Sequence, residues 1–183
     1  MSPSEHDEEV EAKYRIVCSV EQIKHLLESI GASYIEVLQE HDIYLQHPCR
    51  DFSRTDEALR IRRMIGADGE KWILTYKGPR KMSGEIKSRE EIEIELTDPV
   101  KTLRILDRLG FREIASISKK RYKYRYNDCD ILLDHVKGLG VFLEIECRRK
   151  DEINKVKELI GNCIEPVYKT YLELCLETGA CYE

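Results

Sequence analysis

The chain has 183 residues, 42% of them hydrophobic, which is enough for one well-buried core and short for two independent ones. Charged residues reach 36%, yet 30 Lys and Arg nearly offset 35 Asp and Glu and leave a net charge of -5. That balance argues against a generic nucleic-acid surface, which needs clustered positive excess. The polar, acidic start lacks a basic segment followed by an apolar run, and no apolar stretch is long enough to span a bilayer, so neither a signal peptide nor a membrane segment is expected.

Residues 1–8 read as a flexible lead-in. A first strand over 9–17 places Glu9, Glu11, Lys13 and Arg15 on one face and Val10, Ala12, Tyr14 and Ile16 on the other. Carboxylates and a cation about 7 Å apart along one face can hold a divalent metal and the phosphate it carries. The same alternation also suits a half-solvated antiparallel strand. Ser19 and Gln22 then form a capping box for a helix with the stripe Ile23, Leu26, Leu27 and Ile30, closed by Gly31.

Strands follow over 34–47, 58–66 and 70–78, the last two joined by the turn Gly66-Ala67-Asp68-Gly69. Pro48 to Glu57 is the longest irregular connection, a length that suits either a loop covering a site or a surface excursion. After a strand over 85–96, Asp98-Pro99 opens a second helix with the stripe Val100, Leu103, Leu106 and Leu109, ending at Gly110. Strands over 112–126, 129–137 and 140–148 come next, with Gly138-Leu139-Gly140 as a turn. Asp151 opens a third helix (Ile153, Val156, Leu159, Ile160) and Pro166 a fourth (Tyr168, Tyr171, Cys175, Leu176).

Eight mostly antiparallel strands with one-sided helices predict a single α+β domain over 1–183. A strand bearing E-x-E, then a capped helix, then Gly recurs at Glu9/Glu11, Glu91/Glu93 and Glu144/Glu146, which suggests a duplicated unit with converging carboxylate faces. Every strong strand has one charged face: Arg60 and Arg62, Arg89 to Glu95, Lys119 to Arg125, Glu144 and Glu146. These faces either point into water or line a polar-walled barrel whose apolar outside is covered by the helices. Cations crowded on one strand repel each other, so enclosure is favoured if a polyanion and metal ions join them. Arg and Lys would bind phosphate, and carboxylates would hold Mg²⁺ or Mn²⁺. Seven scattered cysteines without a C-x-x-C pair suggest neither a zinc site nor a disulfide framework, hence a reduced, cytoplasmic protein.

The strand Glu9-Val10-Glu11-Ala12-Lys13, the segments Asp42-Ile43-Tyr44, Ala58-Leu59-Arg60-Ile61-Arg62 and Thr75-Tyr76-Lys77-Gly78-Pro79, then Arg89-Glu90-Glu91-Ile92-Glu93, Lys119-Lys120-Arg121, Leu133-Asp134 and the stretch Leu139 to Glu146 resemble, in order, the CYTH superfamily. This is the group of class IV adenylyl cyclases and inorganic or thiamine triphosphatases, also called triphosphate tunnel metalloenzymes. The resemblance implies a closed eight-stranded antiparallel β-barrel with a charged interior, helices outside and a triphosphate bound within. It implies metal-site roles for Glu9, Glu11, Glu91, Glu93, Asp134, Glu144 and Glu146. It also implies phosphate binding by Lys13, Arg60, Arg62, Lys77, Arg89 and Arg121, with Lys119 and Lys169 matching less firmly and Lys13, Arg60, Arg62 and Asp134 as catalytic residues.

Thr75-Tyr76-Lys77-Gly78-Pro79 and the loop Pro48 to Phe52 look most like the class IV cyclase branch, so conversion of ATP to cyclic AMP and pyrophosphate comes first. Hydrolysis of tripolyphosphate, thiamine triphosphate or a nucleoside triphosphate is the alternative, and a nucleotide- or polyphosphate-binding module without turnover the next. Tyr44, Tyr76 and Phe142 are the aromatics available to stack on a base. Neither nucleic acid nor membrane is an expected partner, and the chain is a monomer or homodimer.

Overall fold

Strands whose residues alternate between charge and apolar side chains pair antiparallel in this protein and close on themselves. The computed structural model describes residues 8–180, so the lead-in before Glu8 and Cys181 lie outside the described residues. In chain order the elements are β1 (Glu8–Ile16), α1 (Val20–Ser29), β2 (Ser33–Gln46), α2 (Phe52–Thr55), β3 (Ala58–Gly66), β4 (Gly69–Lys77), β5 (Lys81–Ser83) and β6 (Ile86–Glu95). These are followed by α3 (Pro99–Arg108), β7 (Arg112–Tyr126), β8 (Cys129–Val136), β9 (Gly140–Glu146), α4 (Lys150–Ile160), β10 (Ile164–Pro166) and α5 (Tyr171–Thr178).

The sheet runs β1-β9-β8-β7-β2-β3-β4-β6, and β6 pairs back onto β1, which closes an eight-stranded antiparallel barrel. Closure leaves no open edge among the eight strands. The short β5 and β10, which the sequence pattern does not announce, pair with β6 and β1. The seam sets Glu9 opposite Arg89 and Glu11 opposite Lys87, while on the other side of β1 Glu11 faces Glu146 and Lys13 faces Glu144. Because side chains alternate along a strand, these residues all project into the barrel.

The outward faces are apolar and need cover. Ala12, Tyr14, Ile131, Leu133, Leu143 and Ile145 are buried beneath Ile23 and Leu27 of α1 and Ile153, Val156 and Ile160 of α4. Each fully buried Leu or Ile contributes roughly 1.5–3 kcal/mol relative to exposure. The expected cover by all four helices holds only in part. In α3, Leu103 and Leu106 are half-buried, whereas Val100 and Leu109 are exposed.

The last helix starts five residues later than Pro166 suggests. Pro166 lies instead in β10, opposite Tyr14, at an edge position where its missing N–H breaks no ladder bond. Thr170 is the true N-cap: its hydroxyl accepts from the Glu173 backbone N–H, and the Glu173 carboxylate accepts from the Thr170 backbone N–H. This start swings Tyr171 into one end of the barrel, where it is buried.

Cysteine pairing corrects the expectation of free thiols. Cys18 is bonded to Cys163 and Cys129 to Cys147, while Cys49 is free and exposed. The first pair is separated by 145 residues, so spacing conceals it; the second joins the first residue of β8 to the residue after β9. Cysteine usage therefore no longer argues for a reducing compartment. Among the described residues, no helix is long and apolar enough to cross a membrane.

Candidate active site

The barrel interior has two unlike walls. One is the seam β6-β1-β9, where Glu9, Glu11 and Glu146 bring carboxylate oxygens within 4.8 Å of one another. Burial and the nearby Glu9, with Glu11 and Glu144 adding to it, raise the Glu146 carboxyl from 4.5 to about 8. Three oxygen donors and a strained like-charge cluster fit a hard divalent cation, which removes the repulsion. The neighbouring cations hold these carboxylates from the other side. Lys77 Nζ stands 2.8 Å from Glu9 and 2.9 Å from Glu91, Lys87 Nζ 2.7 Å from Glu11, and Arg89 Nε 3.3 Å from Glu9.

On the facing wall, β2, β3, β7 and β8, the buried acids are ion-paired. Arg62 donates to both oxygens of Asp42 at 2.6 and 2.8 Å and lies 3.1 Å from Glu40. Arg121 donates to both oxygens of Asp134 at 2.7 and 2.6 Å, and Lys119 bridges Glu40 at 3.1 Å and Asp134 at 3.4 Å. Burial opposes the charge on Asp42 and Glu40, but Arg62 and its neighbours outweigh it and hold both below the usual range, Glu40 at about 2. Burial likewise would raise Glu144, but Lys13, Arg121 and Lys119 keep it well below its ordinary value.

Lys13 and Arg60 stand between the two walls. Lys13 Nζ lies 3.2 Å from Glu144 and 3.7 Å above the Tyr171 ring, and burial together with Lys87 lowers its pKa to about 8. Arg60 reaches Asp42 and Glu91, both at 3.5 Å, and Glu93 at 3.8 Å. Among the described residues its buried Nε has no hydrogen-bond partner, an open donor of the kind an anion fills. Tyr171 fixes the end of this network by donating its hydroxyl to Asp134 at 2.9 Å.

A cavity of about 370 Å³ joins these charges to a less polar chamber between α2 and α5. Tyr44, Leu45, Phe52, Leu59, Ile114, Leu172 and Leu176 contribute its apolar lining. Phe52 is positioned by Asp51, which caps α2 by accepting from the Ser53 backbone N–H. Arg80 secures the α5 side by donating to Glu173 at 2.9 and 2.8 Å and to Asp56. The long connection from Pro48 to Glu57 is thus part of the cavity wall.

Most residues expected at a site do converge, though in different company. Lys13, Arg60, Arg62, Lys77, Arg89, Lys119 and Arg121 line the tunnel together with Glu9, Glu11, Glu91, Glu93, Glu144 and Glu146. Glu91, Asp134 and Glu144, expected beside a metal, lie outside the cluster of Glu9, Glu11 and Glu146 and each contact a cation, and the half-exposed Glu93 accepts from Thr75. Lys169 points its amine to Glu177, with half of its side chain exposed. Of the three candidate aromatics, Tyr44 lines the cavity, Tyr76 donates its hydroxyl to Glu57, and Phe142 lies in the core against Tyr171. Glu40 and Lys87 were not anticipated. Both continue an alternating row already visible in the sequence, Glu40-x-Asp42 and Lys87-x-Arg89-x-Glu91.

Residues 7–165 match the family description CYTH domain. A candidate adenylate cyclase of Methanocaldococcus jannaschii, MJ0240, is 40% identical over 179 residues, covering 91% of this chain and 97% of its own. Adenylate cyclase CyaB of Aeromonas hydrophila is 30% identical over 145 residues, covering 79% of this chain and 71% of its own. The solved structure of the PH1819 protein of Pyrococcus horikoshii superimposes with a TM-score of 0.76 at 40% identity, over 91% of this chain and 98% of that one. With the closed barrel and its charged tunnel, these matches establish that the chain belongs to the CYTH family.

Proposed function

We propose that the protein is a divalent-metal-dependent adenylyl cyclase that converts ATP to cyclic AMP and pyrophosphate inside the tunnel. The observation that carries this reading is the single cavity joining the cationic tunnel to the apolar chamber of Tyr44, Phe52, Leu59 and Leu172. An inorganic tripolyphosphate has no apolar part and would leave that chamber idle, whereas a nucleoside triphosphate presents both an anionic tail and a flat ring. The name of the Aeromonas relative supports cyclisation among the reactions open to an organic triphosphate.

Glu9, Glu11 and Glu146 would hold Mg²⁺ or Mn²⁺, which when bound would supply neutralisation of phosphate charge. Arg60, Arg62, Lys77, Arg89, Lys119 and Arg121 bind the phosphate oxygens, and their carboxylate partners keep each cation aimed inward. Glu91, Glu93, Asp134 and Glu144 serve in that orienting role. In the reaction the ribose 3′-oxygen bonds to the α-phosphorus, the bond to the β-phosphate oxygen breaks, and pyrophosphate leaves. Lys13, lowered to about 8, is the base assigned to the hydroxyl proton, its unprotonated fraction growing as pH rises toward 8.

Incubation with ATP, tripolyphosphate and thiamine triphosphate in Mg²⁺ or Mn²⁺, followed by separation of products, tests the reading. Cyclic AMP with equimolar pyrophosphate from ATP is the expected result. Orthophosphate from tripolyphosphate, with no cyclic AMP from ATP, would replace the cyclase with a hydrolase that uses the same charges. Tight triphosphate binding with no product would leave a binding module.

A further inference from the structure

Lys87 belongs to none of the motifs that carry the family resemblance, yet it occupies a decisive place in the tunnel. Glu11 is flanked in register by Lys87 on β6 and by Glu146 on β9. It is therefore shared: its carboxylate belongs to the oxygen cluster with Glu9 and Glu146 and is also held by Lys87 Nζ at 2.7 Å, with Arg89 farther off at 3.9 Å. The Lys87 side chain is only 3% exposed, and Glu11 is its one ion-pair partner among the described residues. Lys77 differs in this respect, because it also contacts Glu91 and keeps a partner when Glu9 turns elsewhere.

On the functional reading above, we infer that Lys87 is the positioning residue that makes divalent metal and triphosphate bind cooperatively. When Glu11 turns its charge to a metal ion, Lys87 loses its one close ion pair and is left with the longer-range attraction of Glu144. A buried ammonium left without a close partner is strongly unfavourable. A triphosphate in the tunnel restores the balance by placing a phosphate oxygen against Lys87, which then serves as one more phosphate ligand. Metal alone is therefore held weakly, and metal with triphosphate is held well. By linkage the triphosphate raises metal affinity by the same factor that the metal raises triphosphate affinity.

The test measures two affinities in wild type and Lys87→Met. Mn²⁺ binding is followed by electron paramagnetic resonance with and without α,β-methylene-ATP. Binding of α,β-methylene-ATP is followed by calorimetry in EDTA and in saturating Mn²⁺, corrected for the Mn²⁺–nucleotide complex in solution. Wild type should show a coupling factor between about 5-fold and 150-fold. In Lys87→Met, Mn²⁺ alone should bind about tenfold tighter, because Glu11 loses its close cation and is left with the longer Arg89 contact at 3.9 Å, and the coupling factor should fall by about tenfold. Lys87→Arg keeps the charge and should keep the coupling. Should Lys87→Met not fold, Lys87→Gln retains a hydrogen bond to Glu11 and reads the same two affinities. Wild-type Mn²⁺ affinity and unchanged coupling in the neutral variants, while wild type binds both ligands, would overturn the role of Lys87 alone. Absence of both Mn²⁺ and nucleotide binding in wild type would overturn the functional reading and this inference with it.

Discussion

The two walls of the tunnel carry similar residues and behave in opposite ways. On β2, β3, β7 and β8, each acid faces an arginine or lysine, and Asp42 and Asp134 each accept a two-pronged arginine. On the β1 and β9 side, Glu9, Glu11 and Glu146 crowd one another and leave the Glu146 carboxyl raised to about 8. On the paired wall the buried acids Glu40, Asp42 and Asp134 all have cationic partners, whereas on the seam Glu146 has no ion pair among the described residues and its charge is opposed by burial and by its acidic neighbours.

The largest expected effect breaks the paired wall. Arg121→Met removes the two-pronged partner of Asp134, which is fully buried and is then left with Lys119 and the Tyr171 hydroxyl, and should lower stability by about 3–5 kcal/mol in denaturant titration. The same loss of one charge at the seam should act in reverse. Glu146 has a folded-state pKa raised above its ordinary 4.5, so its contribution is fully present below 4.5 and is lost as pH rises toward 8. Metal-free wild type should therefore lose on the order of 3 kcal/mol across that window, and Glu146→Gln should abolish the loss. Glu40 has the opposite sign. Its pKa is lowered to about 2, so its contribution is present above 4.5 and disappears as pH falls toward 2. Stability measured from pH 2 to 9 should consequently fall at both ends, and Glu146→Gln should correct only the alkaline end.

Smaller effects separate Tyr171 from the cap that positions it. Tyr171→Phe removes a hydrogen bond to a buried charged acceptor and should cost about 2 kcal/mol, detected as a shifted denaturation midpoint. Thr170→Ala removes the side-chain cap of α5 and should cost about 1 kcal/mol.

Much of this was legible in the sequence, for a local reason. Strand alternation fixes which side chains share a face, so Glu9, Glu11 and Lys13, or Arg60 and Arg62, could be grouped without knowing which strands meet. The capping box at Ser19 and the N-cap at Asp98 likewise depend only on neighbours within one turn. What escaped reading depends on contacts between distant segments. The register that sets Glu11 between Lys87 and Glu146 arises only when β6 closes onto β1, and the Cys18–Cys163 bond forms across the same fold. Equally, nothing local distinguishes a carboxylate paired with arginine, such as Asp134, from one left among carboxylates, such as Glu146. The Pro166 signal misled because proline suits an edge strand as well as a helix start.

The contrast between the walls rests most directly on Mn²⁺ binding to the nucleotide-free protein, measured by electron paramagnetic resonance for wild type, Glu146→Gln and Glu40→Gln. Saturable binding in wild type and in Glu40→Gln, lost in Glu146→Gln, is the expected result. Mn²⁺ bound equally well by wild type and Glu146→Gln would contradict the placement of the metal at the seam.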